Sequence, residues 1–173
     1  NAPGSAGVST AAASTKKPKA HALDDPKAVL RELKNFTPVG KNRDKVVTLR
    51  NEAIKLRLKS NPLAFCFLVR SMFEISAKAY CKDHTIQAVD AKGRDKPLVD
   101  ILREITIHLT KNNSDKAMVK SLHGAMAELG KSNGLLSVTS LNQLVHNPQF
   151  SVSEPDICIV FSNIFPLLLA MNS

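Results

Sequence analysis

Pro62-Leu-Ala-Phe-Cys-Phe-Leu-Val-Arg-Ser-Met-Phe-Glu-Ile-Ser-Ala-Lys-Ala-Tyr-Cys-Lys82 is the stretch that decides the fold. Asn61-Pro62 reads as a helix start, with Pro at the first helical position, where its missing N–H costs nothing. From Leu63 to Lys82 the residues are apolar nearly all round a 3.6-residue period. Arg70, Glu74 and Lys78 form the single polar stripe, with Ser71 and Lys82 beside it. A helix of this kind needs cover on most sides, so it predicts a central helix with others packed around it. Arg70 and Glu74 stand four apart and can pair on one face. Buried by the surrounding helices, that pair would be desolvated and hydrogen-bonded.

The same start signals recur on both sides. Asp25-Pro26 leads into Lys27 to Phe36, and Lys96-Pro97 opens Leu98 to Lys111. Ser114 is placed to cap Asp115 to Lys131, Ser137 to cap a short helix, and Glu154-Pro155 opens the last one. Strand-like alternation and hairpin dipeptides such as Asn-Gly between alternating runs are lacking. The expectation is an all-α helical bundle over residues 24–173, long enough for one hydrophobic core. Residues 1–23 are Ala, Ser, Gly, Pro and Lys with almost nothing to bury, which predicts a flexible, disordered linker from an upstream domain of a longer polypeptide.

Charge is distributed unevenly. The net charge is +9 over 173 residues. Residues 27–60 hold ten Lys/Arg against three acids, whereas residues 136–173 hold no Lys or Arg at all. Winding Asp44 to Lys59 at about 100° per residue gathers Lys45, Glu52, Lys55 and Lys59 on one face. Val46, Val47, Leu49, Ala53, Ile54, Leu56 and Leu58 fill the opposite arc. Arg50 and Arg57 fall within that arc; Arg57 is expected to snorkel, and Arg50 is open between an edge and a polar site. Lys45, Arg50, Lys55 and Lys59 are the candidate DNA or RNA contacts, with a solvated outer face as the equally weighted alternative.

Cys66, Cys81 and Cys158 are odd in number and far apart, which suits a reducing, cytoplasmic setting without disulfides. Cys81 and His84 have a C-x2-H ligand spacing, but no second pair completes it, so no metal and no cofactor is expected. His108 and His123 are read as edge residues of amphipathic helices, without a role. Ile157 to Met171 is apolar but interrupted by Ser162, Asn163 and Pro166. It reads as a core helix, with no membrane span expected. Phosphate-cradling glycine loops, nucleophile elbows and zinc-protease motifs are all absent from the sequence.

One polar group does not fit a plain core. Leu141-Asn-Gln-Leu-Val-His-Asn-Pro148 sets Asn142 and His146 four apart inside an apolar third of the chain, with Asn147 alongside as a structural polar residue. Together with Leu68-Val-Arg-Ser-Met-Phe-Glu-Ile-Ser76 and the closing apolar helix, this segment resembles the HEPN superfamily over roughly residues 44–172. That likeness implies a helical bundle of the kind found in prokaryotic defence proteins. Active members are metal-independent endoribonucleases that join two motifs across a homodimer. A narrower likeness is to C-terminal helical domains of ParB-like proteins in phage defence and mobile-element loci. On the family motif, Asn142 matches the polar position and His146 the histidine, but the arginine position falls on Leu141. Catalysis would then need His146 as acid/base, Asn142 to orient it, and Arg70 or Arg50 at the phosphate. The missing arginine shifts the expectation to a degenerate, non-catalytic assembly module, with an active endoribonuclease and a purely nucleic-acid-binding domain as alternatives.

Overall fold

The computed structural model describes residues 24–138, 145, 146, 148 and 153–173. Among these, seven helices form an all-α bundle: α1 (Pro26–Asn35), α2 (Asp44–Lys55), α3 (Pro62–His84), α4 (Leu98–Leu109), α5 (Lys116–Ser121), α6 (His123–Leu129) and α7 (Glu154–Met171). The expected linker, residues 1–23, lies outside the described residues.

Helix α3 is the axis. Its 23 residues span about 34 Å at 1.5 Å per residue. Phe65, Cys66, Val69, Met72, Phe73, Ala77, Tyr80 and Cys81 are buried, and so are Arg70 and Ser76. Helices α2, α4 and α7 all pack against α3, with α4 on its second half. Helix α7 also contacts α1 and α6. Phe161 and Phe165 of α7 stack at 4.8 Å, and Phe36 meets Phe165 edge-on at 5.7 Å, closing α1 onto the core. By length and composition α7 could cross a membrane. In the structure it buries Ile157, Cys158, Phe161, Ile164, Phe165, Leu167, Leu168 and Met171 against its neighbours.

Helices begin at each X-Pro start, with side-chain caps at α1 and α7 but none at Asn61 before α3 or at Pro97 before α4. The Asp25 carboxylate accepts from the Lys27 N–H at 2.9 Å, and the Ser153 hydroxyl accepts from the Asp156 N–H at 3.3 Å. Several boundaries differ from expectation, and α4 ends at Leu109, two residues short of Lys111. Helix α2 stops at Lys55 instead of Lys59, because Leu56 turns extended (ψ 138°) and Leu58 must fold under the core. The Arg57 carbonyl closes that turn by accepting from Ser60 and Asn61 N–H groups at 3.0 and 2.9 Å, which leads directly into α3. Asp115, not Ser114, caps α5, accepting from the Met118 N–H at 3.0 Å. The expected helix from Asp115 to Lys131 is broken at Leu122 into α5 and α6.

That break has a packing reason. Gly124 presses α6 against α7 so closely that a Cβ there would lie 3.1 Å from both Cα and the carbonyl oxygen of Asn163. Turning the chain at the fully buried Leu122 brings Gly124 to that contact. Between α3 and α4 the chain folds back along α3. The Asp90 carboxylate accepts from the Lys92 and Arg94 N–H groups at 2.8 and 2.9 Å, with Gly93 at φ +74° completing the turn. Those backbone bonds and the Arg94 guanidinium hold the Asp90 carboxyl below its ordinary value.

Candidate functional site

The polar stripe of α3 forms one side of a cleft of about 390 Å³, closed by Asp95, Lys96, Pro97, Leu98 and Ile101. Arg70 sits at its base and is only 2 % exposed. Its Nε donates to Glu74 Oε1 at 3.2 Å and its Nη1 to the Leu135 carbonyl at 2.6 Å. Burial lowers the Arg70 pKa and Glu74 opposes that shift. The expected i,i+4 pair is therefore present, but it is lopsided: Glu74 keeps nearly half of its side chain in solvent. Lys78 and Lys96 in the same cleft are each matched by a carboxylate, Asp95 at 3.1 Å and Glu104 at 2.8 Å. Its cations are thus committed to internal partners, and a phosphate entering this cleft would have to displace them.

Arg50 is also committed. Its Nη1 donates to the Phe36 carbonyl, and Nε and Nη2 donate to Asn51 Oδ1 at 3.2 and 2.8 Å. It ties α2 to the end of α1. His146 is exposed within a helical turn. Leu141, Asn142 and Asn147 lie outside the described residues.

A third arginine, unmarked by any sequence pattern, carries the most extensive network. Arg43, just before α2, is 5 % exposed. It pairs with Asp83 at 2.9 Å and donates to Asn172 Oδ1 at 3.2 Å, to the Met171 carbonyl at 3.1 Å and to the Lys41 carbonyl at 2.8 Å. Asn172 in turn donates to Ser76 Oγ at 2.9 Å and to the Leu168 carbonyl at 2.8 Å. The Asn172 carbonyl accepts from the Val39 N–H at 2.9 Å. Gly40, at φ +110°, makes the turn beside the Arg43 guanidinium. This clasp locks the α1–α2 loop, the end of α3 and the end of α7 together.

A second concavity has a different character. Between α1 and the end of α2 lies a groove of about 380 Å³. Its floor includes Val29, Leu33, Ala53, Leu58 and Phe65, and its rim carries Lys27, Lys55, Arg57 and Lys59 against a single acid, Glu154. Lys27, Lys55, Arg57 and Lys59 are exposed, and among the described residues none of the four makes an ion pair. Two of the sequence-picked basic residues, Lys55 and Lys59, meet here. Lys45 stands exposed in the first turn of α2, roughly 15 Å away at 1.5 Å per residue, and Arg50 is turned inward. Lys27 and Arg57 join only because α1 packs against the turn after α2. A net-charge scan over residues 27–60 covers both, but nothing local places them side by side.

The chain matches no protein-family model, no curated protein and no solved structure. Class follows from the fold, an all-α bundle, and function has to be argued from these sites.

Proposed function

We propose that this chain is a non-catalytic, HEPN-like assembly module that associates with nucleic acid as part of a larger prokaryotic protein of the anti-phage kind. The observation that carries the reading is the groove between α1 and α2, where Lys27, Lys55, Arg57 and Lys59 gather round one apolar floor with a single acid, Glu154, beside them. Unpaired ammonium and guanidinium groups beside one another attract phosphate oxygens, and their counterion release drives binding. The arginines that a nuclease of this family would need give further support. Arg70 and Arg50 hold carbonyl and side-chain oxygens of their own chain, and Leu141 occupies the family's arginine position. Homodimerisation belongs to the same proposal.

Binding of a fluorescent 20-nucleotide single strand or duplex, measured by anisotropy from low to physiological salt, tests it. With four phosphate contacts the logarithm of the binding constant falls with the logarithm of salt at a slope of about −3 to −4. Reversing Lys55, Arg57 and Lys59 to Glu abolishes binding. Unchanged affinity in that variant makes the groove a solvated face and removes the proposal. Light scattering at tens of micromolar reads the dimer directly, and a monodisperse monomer ends that part of it.

The exposure of His146 favours one competing reading, an endoribonuclease. RNA incubated in EDTA with wild type and with His146→Ala separates the two. Cleavage by wild type alone establishes the enzyme, and its absence in both leaves the binding module.

A further inference from the structure

His84 closes α3, and His108 lies in the last turn of α4. Because the intervening loop runs back along α3, α4 begins beside Arg70 and Glu74 and ends beside Tyr80 and His84. Two helices therefore finish at the same place. Each helix end carries about half a negative charge, which favours a cation there. The two imidazoles are exposed, with ring centroids 4.9 Å apart and planes inclined at 52°. Tyr80, buried beside them, contacts both. Its hydroxyl is 2.8 Å from His108 Nδ1, and its ring lies 4.1 Å from that of His84, inclined at 35°. Among the described residues neither histidine makes an ion pair that would occupy it.

We propose that His84 and His108, positioned by Tyr80, form a two-imidazole site for a divalent transition-metal ion of the zinc, nickel or copper(II) type, with water filling the remaining positions. Two imidazoles that share an ion at about 2.0–2.1 Å, with a near-tetrahedral angle between them, place their ring centroids about 5 Å apart. The 4.9 Å separation matches that spacing. Tyr80 acts as a positioning residue. When His108 Nδ1–H donates to its oxygen, Nε2 keeps the lone pair a metal takes, and the ring orientation is fixed. Nitrogen ligands select borderline ions over magnesium or calcium, which seek oxygen. Cys81, one turn before His84, does not complete the set: it is buried, and burial raises its thiol pKa. Among the described residues no group of three His, Cys, Asp or Glu side chains is gathered as a closed metal site. An open two-ligand site is what the geometry provides.

Titration of the 173-residue chain with zinc chloride by calorimetry tests this. One saturable site is expected. His84→Gln and His108→Gln each weaken it by more than about tenfold, and Tyr80→Phe by about tenfold. His123→Gln and His146→Gln leave it unchanged. No saturable heat in wild type, or binding retained in the double variant His84→Gln/His108→Gln, overturns the proposal. Circular dichroism checks that the variants fold. If they do not, substoichiometric copper(II) added to wild type decides: the imidazole proton signals of His84 and His108 are expected to broaden first, and broadening at other histidines instead overturns it.

Discussion

Arg43 shows how one side chain can hold three elements. Its guanidinium is buried with Asp83 on one side and Asn172, 129 residues away in sequence, on the other. Removing one member of a buried, hydrogen-bonded charge network costs about 3–5 kcal/mol, because the partners left behind stay desolvated. Arg43→Ala is therefore expected to lose about 3 kcal/mol in urea denaturation, and Asn172→Ala about 1–3 kcal/mol. A loss under 1 kcal/mol for Arg43→Ala would mean the clasp is solvated. The Arg70–Glu74 pair was legible because i,i+4 spacing is local. Arg43 was not, because its partners come from the far ends of α3 and α7. The cysteines give a second prediction at this scale. All three are buried and free. Burial pushes the Cys66 thiol up to about 12; burial, with Glu154, Asp25 and Asp24 adding to it, pushes the Cys158 thiol up to about 11. The native chain should leave all three unlabelled by a thiol reagent at pH 8 and expose three in denaturant. Because the folded state holds these protons more tightly than the unfolded chain, their contribution is complete below the unfolded thiol value and is lost as pH rises from about 9 towards 12. Stability flat across that range would contradict the burial.

At the scale of elements, helix starts marked by Pro were readable, while the starts of α5 and α6 and the helix ends were not. Pro at positions 26, 62 and 155 fixes a start locally, by its own φ and missing N–H. The end of α2 at Lys55 is set by Leu58 reaching the core, and the break at Leu122 by how near α6 must come to α7. Both causes are tertiary. Gly124 is where this can be measured. In an exposed helix Gly→Ala gains about 1 kcal/mol from propensity. Here the new Cβ meets Asn163 backbone at 3.1 Å, which cannot swing aside as a side-chain tip would. Gly124→Ala is expected to destabilise by about 1–3 kcal/mol, as overpacked cores do, visible as a lower melting temperature. A rise in melting temperature would show that α6 slides freely on α7.

For the whole molecule, the charge imbalance of the sequence takes a spatial form. Of the ten cations of residues 27–60, Arg43 and Arg50 hold oxygens of their own chain, and Lys27, Lys55, Arg57 and Lys59 gather at the rim of the α1–α2 groove. Composition pointed to a basic surface, and helical winding found Lys55 and Lys59. Lys27 and Arg57 needed the packing of α1 to be seen as their neighbours. The His84–His108 pair was hidden for the same reason, since a folded-back loop sets the two helix ends side by side. The proposed nucleic-acid association rests on the groove, so the salt dependence of binding is its most direct test. Anisotropy of a labelled strand against wild type and against the Lys55→Glu/Arg57→Glu/Lys59→Glu variant should show a salt slope of about −3 to −4 in wild type and no binding in the variant. Equal affinity for the two proteins, or binding indifferent to salt, would contradict it.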